Sequence, residues 1–469
     1  MKKKILALTL GFTMVVGMLT ACGSSSSTST SSSDTSASSE DAAEDAAEDA
    51  AEEETTLTGE APAESRAITI LSMWPEDDEE TTANGAIITA MCEKYKEEVD
   101  PNFSWEYEYV SSDNLRTKVQ TLAASNDLPD IFAYDAGTPL VDLIDAGLVL
   151  DITQALEDMD VYDTLDNGAT TYLAALTGTD HIYDLPLGLN IEGFWYNKEL
   201  FAQAGIEKAP ETWDEMLEDA DKLLEAGIQP FATGAADMWP TTRLIHAYAI
   251  REMGADCMNK AADGELAYNS EGFIKAAQMI QDMNLAGYFG EGATTVDQNT
   301  AADMLLSGQT AMIYNGSWYT SSLNADTNPA GQDGIGFFSV PTVEGGEGIL
   351  TEYPMNCGTI LCLNSKTYDE TMASFLKFFV SNVGDYSMSN FGALKGYVVD
   401  ETVSADMPSY TKMVAEEMNK VTGTANWFEA LMASELSAMA QQNVQSLMNG
   451  DMTAEEYCEQ LEECYQDTK

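Results

Sequence analysis

Apolar positions along most of the chain alternate between the period of a strand and the period of a helix. Residues 68–74, ITILSMW, form a compact apolar run that predicts a first strand. Residues 82–97 then carry Ile87, Ile88, Met91 and Tyr95 at helical spacing. Residues 103–110 alternate as a second strand, and Ser112 can cap a helix with Leu115, Val119 and Leu122 on one face. Residues 129–135, PDIFAYD, supply a third strand, followed by a helix holding Leu140, Leu143 and Ile144 that stops at Gly147. Strands alternating with helices in this way predict an α/β fold, with parallel-rich sheets covered by helices on both faces. In such sheets ligands meet the loops at the C-terminal ends of strands, which singles out Trp74, Tyr134 and Asp135.

The pattern changes at residues 184–206, DLPLGLNIEGFWYNKELFAQAGI. Pro186, Gly188 and Gly193 punctuate an extended apolar segment, which becomes strand-like at 194–196 and turns at Asn197 into a short helix ending at Gly205. Extended backbone punctuated by Gly and Pro suits a crossing between two lobes. Beyond it, Thr212 and Glu215 have capping-box spacing, and Trp213, Met216, Leu217, Ala220 and Leu224 make a buried stripe. That stripe assigns Trp213 to the core. Residues 228–232 read as a strand, and the polar loop 234–240 carries Trp239 where no core is at hand to bury it. Arg243 lies on the following helix, 241–251. Residues 354–360 lead into another strand, 364–366 into a helix with Met372, Phe375, Leu376 and Phe379, and 391–399 into a further crossing. Trp427 stands just before a long helical tail.

Both the N-terminus and the charge narrow the functional classes. Lys2, Lys3 and Lys4 precede an apolar run at 5–19, shorter than the ~20 residues of a membrane-spanning helix. The run ends in Leu19-Thr20-Ala21-Cys22-Gly23, which resembles a lipobox. The resemblance implies a signal peptide at 1–21, cleavage before Cys22 and a lipid anchor on its sulfur. Residues 22–65, rich first in Ser and Thr and then in an Asp-Ala-Ala-Glu repeat, cannot support a core and read as a solvated tether. The net charge is −58. Past residue 65 there remain 67 acids against 18 Lys and Arg, a body that nucleic acid and anionic lipid would repel, which argues against either as a direct partner. The six cysteines after Cys22 show no C-x-x-C spacing, and the two histidines add no metal framework. They read as free structural thiols, with no metal and no cofactor.

Three stretches together carry a family resemblance. The pattern P-x-G-x-N-x-E-G-x-W-Y-N-K-x-L-F-x-x-A-G-I at 186–206 resembles the sugar-type extracellular solute-binding proteins of ABC importers, relatives of maltose-binding protein. Residues 308–318 resemble that family's G-x-x-A-M-x-x-x-G-x-W signature, and 128–135 its L-P-D-hydrophobic stretch. The resemblance reaches from Ile68 into the tail, where 450–456 is similar to the family's terminal helix pair. It implies a two-lobed, type II periplasmic-binding-protein-like fold with a ligand cleft between the lobes. One lobe would comprise 66–188 plus about 350–392, and the other 189–349 plus about 393–469. The implied role is a monomeric, exported receptor, lipid-anchored to the outer face of the membrane, that delivers an oligosaccharide to ABC permease subunits.

A sugar presents apolar C–H faces ringed by hydroxyls, so its site needs aromatic platforms beside planar polar side chains. Trp74, Tyr134, Trp239, Trp318 and Trp427 are the candidate platforms, with Tyr319 a weaker neighbour. Asp135, Asn190, Glu192, Arg243 and Asn356 are the candidate hydrogen-bonders, Glu192 sharing a face with Asn190 if the segment is extended. At Asn190 maltose-type relatives often carry a carboxylate, and the amide here removes that charge. Two rival classes remain. A surface lipoprotein glycosidase needs two carboxylates ~5–9.5 Å apart, a test that 79 acids make uninformative. No G-x-S-x-G, H-E-x-x-H or phosphate loop is present. A binding protein for a polyamine, peptide or polyol is the other rival, suggested by the acidic body.

Overall fold

The protein is described from a computed structural model, which covers residues 57–77 and 82–469. The predicted signal peptide, the Cys22 anchor and nearly all of the tether lie outside the described residues. Two sheets organise what is described. The first has the order β2-β1-β3-β9, from β1 (Ala67–Ser72), β2 (Ser104–Tyr109), β3 (Ile131–Tyr134) and β9 (Ile360–Leu363). Its β1 runs parallel to β2 and β3, and β9 is antiparallel to β3. The helices Asn84–Glu98, Ser112–Ser125 and Glu370–Phe391 belong to this body. Ile87, Ile88, Met91 and Tyr95 are all buried, as the helical period requires. One detail differs from expectation: Ser111, in extended backbone, is the N-cap residue, and Ser112 is the first helical residue.

The second sheet is mixed. It comprises β4 (Asn190–Asn197), β5 (Gln229–Ala232), β6 (Thr310–Gly316), β7 (Ile335–Phe338), β8 (Glu352–Asn356) and β10 (Gly423–Asn426). Strand β4 is its axis. On one side β4 pairs antiparallel with β6, and its two ends pair in turn with β8 and β7. Seven of its eight residues are buried, so the apolar–polar alternation with which it opens does not run its length.

Three core clusters are present among the described residues, one in the first body and one on each face of the second sheet. Ile70, Phe132, Leu361 and Phe375 belong to the first, and Phe194, Trp213, Phe231 and Leu447 to the second. The bodies are joined where 184–189, 357–360 and 392–398 run together. Leu185 exchanges backbone hydrogen bonds with Leu361, and the amides of Leu187 and Leu189 donate to the carbonyls of Cys357 and Leu394 at 3.3 and 3.4 Å. Two stretches differ from the expected lobe division. Residues Glu352–Asn356 pair in the second sheet, because β4 and β10 flank them there. Tyr397 packs in the first core, because 396–398 hydrogen-bonds to 164–166. All six described cysteines are buried and unpaired. Among the described residues, no helix is long and apolar enough to cross a membrane.

Candidate functional site

Seven of the ten predicted site residues fall in one cluster, Arg243 and six others linked to it directly or through one another. The antiparallel pairing of β4 with β8 sets Asn190 opposite Asn356, and Asn190 Nδ2 donates to Asn356 Oδ1 at 3.2 Å. Asn356 Nδ2 donates to Glu192 Oε1 at 2.8 Å, so Asn190 and Glu192 do share one face of β4. Arg243 then donates from Nη1 to the same Glu192 oxygen and from Nε to Glu429 Oε2, the latter at 3.2 Å. The hydroxyl of Thr242 donates to the other Glu429 oxygen. The guanidinium carbon lies 5.6 Å from the centre of the Trp239 ring and 5.5 Å from that of Trp427, within cation–π range. Trp239 and Trp318 are tilted neighbours with centroids 6.2 Å apart.

Local sequence explains several of these positions. The helix Trp239–Met253 begins at Trp239 itself, two residues earlier than expected, with Met238 in the left-handed region and Pro240 at a favoured first-turn site. Trp239 and Arg243 are thus four apart on one helix and share a face. Gly316 ends β6, and a Cβ there would lie 1.9 Å from the Trp318 ring. Glycine is what allows the indole to fold back over the strand end. Gly137, after β3, adopts φ +82°, and its bare α-carbon faces the Ala430 carbonyl, 2.4 Å from where a Cβ would sit. The first body therefore touches the segment that carries Trp427 and Glu429, and Thr138 N donates to the same carbonyl at 3.3 Å.

The cluster is nearly sealed: the side chains of Arg243, Glu192 and Glu429 are 14%, 1% and 6% exposed. Burial pushes the Glu192 carboxyl up, and Arg243 offsets part of that rise. Burial works to lower the Arg243 pKa, but Glu192 and Glu429 outweigh it and leave it raised. The second Glu192 oxygen and the Tyr314 hydroxyl beside it are buried without a hydrogen-bond partner of good geometry.

Trp74, Tyr134 and Asp135 lie elsewhere, at the C-terminal ends of β1 and β3. Among the described residues, no hydrogen bond, ion pair or ring contact links them to Arg243. Trp74 is buried in the first core, its carbonyl accepting from the Tyr107 hydroxyl at 2.7 Å, and Asp135 forms an ion pair with Arg116 at 2.7 Å. Tyr134 is buried, and burial pushes its phenol up to about 12. Tyr319 lies on a helical turn, not a strand, and its hydroxyl donates to the Ala302 carbonyl at 2.8 Å. Trp213 is core, as its stripe implied.

The sequence reading missed Glu429, Tyr314, Ser317 and Tyr172. The Ser317 hydroxyl donates to Asn190 Oδ1 at 3.3 Å and accepts from the Ile191 amide at 3.2 Å. The Tyr172 hydroxyl donates to the Met355 carbonyl at 2.6 Å, which brings a helix of the first body to β8. Ser317 and Tyr314 lie inside the 308–318 signature, which was the available signal for both.

The bacterial extracellular solute-binding protein family matches residues 78–385. The chain is similar to an uncharacterized ABC transporter extracellular-binding protein of Pyrococcus horikoshii, 27% identical over 207 residues, covering 44% of this chain and 46% of that protein. It is also similar to the multiple sugar-binding protein of Streptococcus mutans, 26% identical over 242 residues, covering 50% of this chain and 54% of the relative. The matches thus span about half the length of both relatives. In structure it resembles a chitin oligosaccharide binding protein, with a TM-score of 0.77 and 23% identity over 86% of this chain and 98% of the other. That likeness establishes the two-lobed α/β fold, and the family match spans well over half of the sequence: the chain belongs to the bacterial extracellular solute-binding proteins.

Proposed function

We propose that this protein captures an oligosaccharide between its lobes and delivers it to the permease of an ABC transporter. The observation that carries this reading is the group of three indoles, Trp239 and Trp427 flanking Arg243 and Trp318 beside Trp239, adjoining the Asn190–Asn356–Glu192 hydrogen-bond chain. Indoles offer flat apolar faces to pyranose C–H groups, while amides and carboxylates pair with hydroxyls. The lobes would hinge where 184–189, 357–360 and 392–398 meet. Ligand favours closure to the extent that both lobes touch it. In the closed state Trp74, Tyr134 and Asp135 would meet the ligand from the first lobe, opposite Trp239 and Trp318, with Trp427 packed on the first lobe's core between them. The relatives named for sugar binding and for ABC transport support this reading. We further propose that Cys22 is lipidated and holds a monomer to the outer face of the membrane. Cys22→Ser would then release the chain into the medium.

A thermal-shift screen of the full chain against oligosaccharides, polyols, polyamines and peptides tests the cargo. At ~100 times the dissociation constant, a ligand stabilises by about 2.7 kcal/mol. A shift with one sugar class and no product on prolonged incubation is expected. Trp318→Ala should weaken that binding by about tenfold or more. Silence from every sugar with a shift from a cationic solute overturns the cargo, and steady appearance of cleaved sugar overturns the receptor role.

A further inference from the structure

We infer that the Glu192–Arg243–Glu429 cluster makes the site select uncharged sugars over anionic ones, rejecting uronates and sugar phosphates, with Glu429 as the residue that sets this charge preference. The inference rests on the carbohydrate reading above and narrows its substrate class. An arginine beside a sugar site would ordinarily invite a carboxylate or phosphate, because its planar fork binds such groups in pairs. Here the fork is already divided. Nη1 serves Glu192, Nε serves Glu429, and two indole rings lie within 5.6 Å of the guanidinium carbon.

The charge count points the same way. Two carboxylates face one guanidinium, so the cluster carries −1 when both are ionised. If Glu192 holds a proton, as its burial favours, the cluster is neutral. Neither state leaves a positive charge for a ligand. Arg251, eight residues further along the same helix, does not supply one. It is fully buried, and its Nε and Nη2 donate to the carbonyls of Val340 and Glu352 at 2.9 and 2.7 Å. Hydroxyls, which both donate and accept, are compatible with this environment. An added carboxylate would meet like charge or, with Glu192 protonated, lose its water without gaining a counter-charge, and either lowers affinity roughly 100-fold or more.

The test compares isosteric pairs by calorimetry: neutral gluco-, manno- and galacto-oligosaccharides, and the same chains oxidised at C6 from CH₂OH to carboxylate. The wild-type full chain should bind its preferred neutral chain about 100-fold or more tightly than the oxidised one. Glu429→Gln should narrow that ratio at least about tenfold by strengthening the oxidised partner, since it removes one negative charge from the cluster whichever state Glu192 holds. Circular dichroism checks that the variant folds, and if it does not, the wild-type ratio still decides. Oxidised chains binding as tightly as neutral ones would overturn the charge preference, and a ratio unmoved in folded Glu429→Gln would overturn the role of Glu429 in setting it. Binding of no carbohydrate of either kind would overturn the carbohydrate reading, and this inference with it.

Discussion

Asp184 is fully buried beside the crossing segments, and neither carboxylate oxygen has a hydrogen-bond partner of good geometry. Burial pushes its pKa from 3.8 up to about 7, with nearby backbone N–H groups pulling it only partly back. Between those values the folded state keeps a proton that the unfolded state has lost. Stability from this group is therefore present at acid pH, falls as pH rises from about 4 to about 7, and is flat above. His246 opposes it. Burial holds that imidazole neutral, down to about 3, so its contribution is lost as pH falls below about 6.5. The two slopes overlap and cancel in the parent protein, so a variant is needed to separate them. Asp184→Asn, relative to wild type, should gain a few kcal/mol in urea-unfolding stability on going from pH 4 to pH 8. A difference that does not change with pH would mean that the carboxylate finds solvent. Legibility at this scale followed chemistry. Indoles and amides in recognisable spacing could be picked out, whereas Glu429 is one of 79 acids and acquires its role only when the loop after β10 brings it to Arg243.

The helix Trp213–Glu225 shows why element faces were harder to fix than elements. Its start was legible: Thr212 accepts from the Glu215 amide at 3.1 Å, although Glu215 reaches back to the Glu211 amide and not to that of the cap itself. The stripe was placed one step too far round. Trp213 is large enough to reach the core from the edge of the buried arc, and centring on it drew in Leu217 and Leu224. The arc actually runs through Met216, Ala220 and Leu223, leaving Leu224 39% exposed. Leu223→Ala should cost roughly 2–5 kcal/mol by opening a cavity, and Leu224→Ala under about 1. Denaturant midpoints decide, and equal losses would contradict this phase. Strand β4 was readable for a different reason. Its apolar residues at 194–196 are consecutive and do not alternate, so it was the spacing of Pro186, Gly188 and Gly193 that marked a crossing.

At the scale of the whole molecule, the alternation of strand and helix made the first sheet legible, because parallel strands need intervening helices. The mixed second sheet was not, since its pairings join strands distant in sequence, β4 with β8 and β5 with β6. The division between bodies moved for the same reason. Which side Tyr397 joins depends on partners at 164–166, far from its own neighbours.

The buried thiols turn this architecture into a pair of clocks. Burial pushes the Cys357 and Cys362 thiols in the first core well above their usual range, and Cys257 and Cys458 in the second up to about 12. An alkylating reagent must wait for the structure around each to open. Mass spectrometry of one labelling reaction would time both bodies at once. If Cys357, which adjoins the crossing, slows with cargo while Cys257 does not, the hinge opens without unfolding its neighbour. Equal slowing would mean that the protein comes apart as a single unit.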